Sequence, residues 1–200
     1  MSEKQNEARR LLDQFAESIK NIEIDSNFDD VVDIIVSCPG KIITTGMGKA
    51  GIAMRKFSSL LCSLGFPSTY LHPGESSHGD LGLIGRNDDL FVASTSGKTR
   101  EVIEIIDLAK KIGPRYIVGI TSHKDSPIRE KADYIIDMGE LQEAGHLGLA
   151  PTTSILVMLA LTDCLALTAA KEKGLSAKEY SKFHHSGYLG SVARKDDKIF

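Results

Sequence analysis

A stretch of small hydroxylated residues, from Ser94 to Thr99, carries the clearest chemistry in this sequence. It holds four side-chain hydroxyls between an apolar run, residues 89–93, and a helical apolar pattern that begins at Val102. A strand that enters a helix through such a turn leaves unpaired N–H groups at the helix start, where the helix dipole favours an anion such as phosphate. An ordinary N-cap is the simpler alternative, but a cap needs only one hydroxyl. The stretch therefore favours a phosphate-binding site over an ordinary helix cap.

A glycine-rich turn, residues 46–51, has the pattern G-x-G-x-x-G after the apolar run 41–45. A dinucleotide-binding turn also requires an acidic residue about 20 positions later. Residues 68–72 contain no carboxylate, which argues against a nicotinamide cofactor. What remains is a turn that lets the backbone approach a ligand, with Lys49 at its apex, although a solvated lysine is the simpler alternative.

Gly97-Lys98-Thr99 is similar to the end of a Walker A loop, the phosphate-binding loop of nucleoside triphosphatases. That motif requires a glycine five residues before Gly97. Val92 occupies this position, so the sequence does not favour a nucleoside triphosphatase.

The loop from His72 to Gly82 is dense in polar side chains and follows the second predicted strand. Loops at strand ends are where α/β sheets hold ligands. His72 and His78 could bind a metal, but no cysteine or third histidine lies nearby at ligand spacing. Histidines that hydrogen-bond or contact substrate are therefore favoured.

The apolar spacing predicts the elements that position these turns. Two helices, one within residues 5–21 and one capped by Ser26, precede the first strand and are expected to pack on the domain or on a partner subunit. Five strands then alternate with helical patterns, at residues 41–45, 68–71, 89–93, 116–120 and 134–136. Such alternation predicts a parallel sheet covered on both faces. The helix from Thr152 to about Lys173 is apolar nearly all round, which predicts a place in the core or in a subunit interface.

Length and composition predict one α/β domain. The 200 residues comprise leading helices over 1–38, a core over 41–174, and a C-terminal tail over 175–200 that carries histidines. The net charge of −3 gives no general attraction for nucleic acid. No apolar run approaches the roughly 20 residues of a membrane helix, and the polar N-terminus does not resemble a signal peptide. We therefore expect a cytoplasmic protein with no nucleic-acid or membrane partner.

The three cysteines, Cys38, Cys62 and Cys164, are odd in number and far apart in the sequence. Cys62 and Cys164 lie in apolar helical patterns. Core thiols are therefore expected rather than disulfides, zinc ligands or a nucleophile.

Taken together, the chain resembles the sugar isomerase (SIS) domain family, and within it the D-arabinose 5-phosphate isomerases. The resemblance covers nearly all of residues 41–190, and the set of motifs in this order is specific although each is weak alone. The motifs are Gly46-Met47-Gly48-Lys49, His72-Pro73-Gly74-Glu75 with His78-Gly79-Asp80-Leu81-Gly82, Ser94-x-Ser96-Gly97-x-Thr99-x-x-Glu101, Leu147-Gly148-Leu149-Ala150-Pro151-Thr152, and the terminal histidine segment.

The resemblance implies a flavodoxin-like three-layer sandwich with a five-stranded parallel sheet. It also implies a homo-oligomer, with a tetramer as the expected form, that interconverts D-ribulose 5-phosphate and D-arabinose 5-phosphate for synthesis of the acid sugar Kdo of surface polysaccharides. Longer family members append CBS domains, so we expect this chain to be the isomerase domain alone. Isomerisation through an enediol needs a base, an acid and a cation or dipole, and no redox cofactor.

The resemblance also assigns site residues. Those in catalytic positions are Lys49, Glu101, Glu143 and His184. Those in substrate-binding positions are Gly48, Gly65, Phe66, His78, Ser94, Thr95, Ser96, Gly97, Thr99 and Thr152. A glutamate would move the proton between carbons, His184 would assist ring opening or oxygen proton transfer, and Lys49 would stabilise the enediolate or orient the substrate. His72 is a candidate for a weak zinc site.

Three features of the sequence leave alternatives open. The family continues its terminal histidine as His-Pro-Gly-Gly, whereas this chain has His184-His185-Ser186-Gly187; the alignment through Gly190 favours His184. The substrate could be another sugar phosphate, such as a hexulose 6-phosphate or a sedoheptulose phosphate, or the domain could be a sugar-phosphate sensor without catalysis. The activated sugar CMP-Kdo could also bind the cleft as a feedback inhibitor.

Overall fold

Strands alternate with helices along the chain, and the strands of the described residues run parallel to one another. The computed structural model describes residues 1–184, which contain a five-stranded sheet. Its strands are β1 (Ile42–Gly46), β2 (Ser68–Tyr70), β3 (Asp89–Ala93), β4 (Tyr116–Thr121) and β5 (Tyr134–Asp137). Every neighbouring pair is parallel, in the order β2-β1-β3-β4-β5. The predicted flavodoxin-like three-layer sandwich is confirmed.

The helices connect the strands and cover both faces of the sheet. Residues 1–184 form α1 (Glu3–Lys20), α2 (Ser26–Ser37), α3 (Gly48–Ser63), α4 (Pro73–Ser76), α5 (Arg100–Ile112), α6 (Pro127–Lys131), α7 (Thr153–Glu172) and α8 (Ala177–Phe183). A 3₁₀ turn spans Asp80–Leu83. The sheet order reverses direction between β1 and β3, and such a switch opens a crevice at the carboxyl ends of the two strands.

Two apolar clusters lie on the two faces of the sheet. On one face, α2, α3 and α7 pack on the sheet around Phe57 and Phe91, whose rings meet edge to face with centroids 5.7 Å apart. On the other face, α5 and α6 supply Val102, Ile106 and Ile128, which are fully buried. The continuous burial of β1 and β3 is the pattern of a parallel sheet covered on both sides.

Helix α7 is the longest apolar element in the described residues. It has 20 residues, and an 18-residue window within it has a mean hydropathy of 1.8. By length and composition alone it could cross a membrane, so the expectation that no apolar run reaches that length was wrong. A buried core helix gives the same signal, and α7 contacts α2 and α3 through fully buried side chains such as Val157 and Leu165.

Two local expectations were also wrong. Helix α2 is capped by Asp25, whose carboxylate accepts from the Asn27 N–H at 3.0 Å, and Ser26 is the first helical residue. Cys62 and Cys164 are exposed rather than in the core. Both lie on helices whose sequence is apolar on several faces, so the sequence pattern did not reveal which face points outward.

An ion pair lies at the amino end of β3, on the side of the sheet opposite the crevice. Asp89 is fully buried and receives two hydrogen bonds from Arg115, at 2.9 Å from Nε and 2.6 Å from Nη2. Arg115 also donates to the carbonyl of Ile34 at 2.7 Å, which attaches α2 to β3. These contacts connect α2 to the amino end of β3, and the crevice lies at the opposite, carboxyl ends of the strands.

Candidate active site

A cavity of about 300 Å³ lies where the sheet order reverses, at the carboxyl ends of β1 and β3. Its walls are formed by Met47, Lys49, Ala50, Ala93, Ser94, Thr95, Ser96, Thr99, His123, Pro151 and Ile155. A second cavity of about 310 Å³ lies toward β5 and contains none of the residues predicted for the site. The first cavity is therefore the candidate active site.

Three helices begin at the wall of this cavity. The N-cap residues of α3, α5 and α7 are Met47, Thr99 and Thr152, and none of their side chains caps its own helix. The first N–H groups of a helix lack partners within that helix, and the dipole makes this end positive. The starts of α3 and α5 thus suit the cavity to an anionic ligand, whereas the start of α7 already donates to the carboxylate of Glu143.

The hydroxyl-rich turn after β3 is folded by its own side chains. Ser94 Oγ lies 2.8 Å from Thr99 Oγ1 and accepts from the Gly97 N–H at 3.1 Å. Ser96 Oγ accepts from the Lys98 N–H at 3.2 Å. Ser94 is only 4% exposed, so its hydroxyl shapes the loop, whereas Ser96 and Thr99 are half-buried and closer to solvent.

The carboxyl end of the neighbouring strand β4 holds this turn by hydrogen bonds. The Thr95 carbonyl accepts from the Ser122 N–H at 3.0 Å and from Thr121 Oγ1 at 3.3 Å. Gly97 has a φ of +64°, and a Cβ there would lie 2.3 Å from the Cβ of Ser126. The turn therefore requires glycine for both its backbone conformation and its packing.

The glycine-rich turn after β1 brings Lys49 to the cavity. Gly48 has a φ of +60°, and Lys49 follows as an exposed residue in the first turn of α3. A Cβ on Gly51 would lie 2.4 Å from the Gly46 carbonyl, so this glycine allows α3 to pack closely on β1. The same carbonyl accepts from the Tyr70 hydroxyl at 2.7 Å. Burial raises the pKa of Tyr70, which keeps this donor protonated.

The carboxylate of Glu143 lies at the start of α7. It accepts from the N–H groups of Thr152, at 2.8 Å, and Ser154, at 3.4 Å, and also from the Ser154 hydroxyl. Thr152 Oγ1 lies 3.4 Å from the same carboxylate and 3.2 Å from the Ala150 carbonyl. Glu143 does not line the cavity itself, but the residues that bind it stand between the wall residues Pro151 and Ile155.

Glu101 is held much more loosely. It is the second residue of α5, and its side chain is 33% exposed. Its Oε1 lies 3.8 Å from Nη2 of Arg100, whose side chain is exposed. The two glutamates thus differ in kind, since one is fixed by several donors and the other is close to solvent.

His184, Gly65 and Phe66 lie together at the other end of α3. Lys173 joins this group, because its Nζ donates to the Gly65 carbonyl at 3.0 Å and lies 4.4 Å from the centre of the Phe66 ring. Phe183 packs against Gly65, where a Cβ would come within 2.9 Å of its ring. The 16 residues of α3 separate this cluster from Lys49 by about 24 Å. Within one chain, these three predicted residues do not reach the cavity.

His184 is the C-cap of α8, and its ring stacks on Tyr180 with centroids 4.0 Å apart. Its Nδ1 lies 3.1 Å from the Tyr180 carbonyl. The competing histidine, His185, lies outside the described residues. The assignment of the catalytic position to His184 rather than His185 therefore stays a prediction.

The histidines of the 72–82 loop have separate surroundings. His72 caps α4, because its Nδ1 accepts from the Gly74 N–H at 3.2 Å. His78 is exposed beyond the end of α4. Across residues 1–184, no group of three or more His, Cys, Asp or Glu side chains is arranged to hold a metal ion. The structure therefore explains His72 by a capping role.

Sequence reasoning missed His123, which lines the cavity together with Lys49. Its carbonyl accepts from Nε of Arg129 at 2.8 Å, which fixes the loop after β4. The signal was available, because His123 follows the carboxyl end of a central strand and such loops form the ligand crevice of these sheets. Met47 and Ile155 form apolar parts of the cavity wall. Their residue types are the same as those of the core, so the sequence could not show that they line a cavity.

Comparison with known proteins agrees with this geometry. The arabinose 5-phosphate isomerase KpsF of Escherichia coli is 34% identical over 185 residues, which cover 91% of this chain and 58% of that protein. A candidate phosphosugar isomerase of capsule formation from Bacteroides fragilis superposes with a TM-score of 0.88 at 38% identity, covering 92% of this chain and 98% of the other. An Escherichia coli CFT073 protein in complex with arabinose 5-phosphate superposes with a TM-score of 0.87 at 28% identity, covering 92% and 100%.

The chain spans about half to three fifths of the length of the curated relatives it matches. The SIS domain family model matches residues 35–168, which include the glycine-rich turn, the hydroxyl-rich turn and the start of α7. The chain therefore belongs to the SIS domain family.

Proposed function

We propose that this chain is an aldose–ketose isomerase that interconverts D-ribulose 5-phosphate and D-arabinose 5-phosphate. The observation that carries the proposal is the cavity itself, in which Lys49 and the hydroxyl-rich turn share one space at the start of three helices. The names of the relatives, and the arabinose 5-phosphate bound to a structural neighbour, support the choice of substrate.

The phosphate binds at the start of α5. Ser96, Thr99 and the first N–H groups of that helix act as donors, and the support of β4 keeps the turn in place without the ligand. A binding turn that is formed in advance costs little reorganisation. The sugar chain then extends from this end toward Lys49 and the start of α7.

The reaction moves one proton between C1 and C2 through an enediol. A carboxylate removes the proton from one carbon and returns it to the other, and the negative charge that develops on oxygen needs a cation or dipole nearby. Glu143 and Glu101 are the candidate bases, and the Lys49 ammonium stabilises the enediolate. His123 contacts the sugar from its own part of the cavity wall.

A second copy of the chain completes the site. The family resemblance predicts roles for His184, Gly65 and Phe66 in catalysis and binding, yet these residues lie about 24 Å from Lys49 along α3. They can act on the same substrate only if a partner subunit presents them at the cavity. The exposed apolar side chains of Leu12, Ile52 and Leu167 provide apolar surface for contacts between subunits. We expect a tetramer.

The product would feed the synthesis of Kdo for lipopolysaccharide or capsule in the cytoplasm. The isomerisation is proposed to need no metal or redox cofactor. CMP-Kdo is proposed to bind the same cleft as a feedback inhibitor. Calorimetry with millimolar CMP-Kdo tests this part, and an absence of heat would remove it.

A substrate panel tests the main proposal. D-ribulose 5-phosphate, a hexulose 6-phosphate and sedoheptulose 7-phosphate are each incubated with the chain, and products are identified by NMR. We expect arabinose 5-phosphate from the first substrate, and a loss of about a hundredfold or more in kcat in Glu101→Gln if Glu101 takes part in proton transfer. Turnover of another substrate alone would identify a different SIS isomerase, and tight binding without turnover of any would identify a sensor.

A further inference from the structure

We propose that Ser154 is a positioning residue, which fixes the carboxylate of Glu143 in its working orientation beside the cavity. The inference rests on the proposed isomerase function, in which Glu143 acts on the substrate. It assigns to the first turn of α7 a part in catalysis in addition to its part in the fold.

The contacts of Glu143 are asymmetric. Oε2 accepts from the Thr152 N–H at 2.8 Å and from the Ser154 N–H at 3.4 Å. Oε1 accepts from the Ser154 hydroxyl. Among residues 1–184, this hydroxyl is the one donor to Oε1, so it determines the rotation of the carboxylate about its last bond.

The surroundings of the two residues differ in rigidity. Ser154 is 1% exposed and lies in a regular helix. Glu143 lies in the segment between β5 and α7, which has no regular structure from residue 138 to 152. Glycines 139, 145 and 148 in this segment have positive φ. A loop residue that must hold a fixed geometry therefore depends on its attachment to the helix.

A precise carboxylate matters for proton transfer. The base must lie within hydrogen-bond reach of the carbon-bound proton, and a misplacement of about 1 Å can cost roughly a hundredfold in rate. The backbone N–H groups remain after any side-chain change, so they keep Glu143 near its place. Loss of the Ser154 hydroxyl would remove the donor to Oε1, so the carboxylate would stay near α7 but could rotate about its last bond.

The alternative is that Glu143 and Ser154 only cap α7. A structural role predicts lower stability and unchanged turnover per folded molecule. Thr153 is a matched control, because it is the next residue, is fully buried, and has a hydroxyl with no hydrogen-bond partner among the described residues. Thr153→Val removes a hydroxyl from the same turn without removing a bond.

The experiment compares steady-state kinetics of wild type, Ser154→Ala, Ser154→Thr and Thr153→Val, each confirmed as folded by thermal unfolding. We expect Ser154→Ala to lower kcat by about tenfold to a hundredfold with KM within roughly twofold. Ser154→Thr keeps the hydroxyl and should recover most of kcat, and Thr153→Val should match wild type. In a Glu143→Ala background, Ser154→Ala should have no further effect on kcat, because a residue that acts through Glu143 has nothing left to position.

Other outcomes overturn the inference. A kcat within about twofold of wild type in folded Ser154→Ala, equal losses in Ser154→Ala and Thr153→Val, or the same loss in the Glu143→Ala background would each show a structural role. Failure of the proposed function is distinguishable, because it appears in wild type as an absence of isomerisation on the substrate panel. A different phosphosugar substrate would leave the comparison of variants intact.

Discussion

Gly97 shows how closely the phosphate-binding turn is fitted to the strand beneath it. The residue combines a positive φ with contact to two side chains, since a Cβ would lie 2.3 Å from the Ser126 Cβ and 2.7 Å from Thr121 Oγ1. Gly113 offers a comparison, because its φ is +79° but nothing lies within 4 Å of a Cβ there. An alanine at position 97 would therefore add a steric clash to backbone strain, whereas an alanine at position 113 would cause backbone strain alone.

Gly97→Ala should therefore raise KM at least several-fold and destabilise the fold by about 1–3 kcal/mol. The turn must shift to admit the methyl group, and this moves the N–H groups that hold phosphate. Gly113→Ala should cost only about 1 kcal/mol and leave KM unchanged. Kinetics together with urea unfolding checks both, and equal KM values in the two variants would contradict the assigned role of the turn.

At the scale of elements, Asp88 joins the segment before β3 to the start of β1. Its carboxylate accepts from the Lys41 N–H at 2.9 Å, from Lys41 Nζ at 2.6 Å and from the Gly85 N–H at 2.7 Å. Burial alone would raise the pKa of Asp88, but these donors and the lysine charge together hold it below its ordinary value of 3.8.

A group whose pKa is lowered by folding stabilises the protein above its unfolded pKa, and this contribution disappears as the pH falls through the folded value. Wild type should therefore lose more stability than Asp88→Asn between pH 7 and about pH 3. Asp13→Asn, at an exposed position on α1, should follow wild type. Urea unfolding at a series of pH values measures the difference, and parallel curves for wild type and Asp88→Asn would contradict the expected role of the pair.

The elements were largely predictable because their signals are local. The apolar run at residues 89–93 and the helical spacing after Val102 each lie within one element, and both were confirmed. Contacts between elements were not predictable in this way. The Glu143 carboxylate caps α7 through a loop whose path the sequence pattern does not define. The exposed sides of Cys62 and Cys164 depend on which neighbours cover α3 and α7.

At the scale of the whole molecule, helix length explains why the predicted site is divided. Helices α3 and α7 both begin at the cavity and run toward the opposite edge of the sheet, over 16 and 20 residues. Their far ends therefore bring Gly65 and His184 to the same place, about 24–30 Å from the helix starts. The resemblance predicts that these residues share one site, whereas the three-dimensional arrangement shows that a single chain does not bring them together.

This division predicts complementation between two inactive variants. Lys49→Ala and His184→Ala should each be inactive, and reassembling them together should restore about a quarter of the sites, because each site takes Lys49 from one subunit and His184 from another. The activity of mixed and separately refolded samples provides the measurement. An absence of recovery in mixed oligomers would show that His184 does not complete the cavity of a second subunit.

The most direct test of the isomerase function is the conversion of D-ribulose 5-phosphate by the purified chain, followed by NMR in deuterated water. D-arabinose 5-phosphate should form, the same equilibrium should be reached from either sugar phosphate, and both directions should be lost in Lys49→Ala. No formation of arabinose 5-phosphate by folded wild type, or undiminished conversion by Lys49→Ala, would contradict the assignment of this cavity as the site of isomerisation.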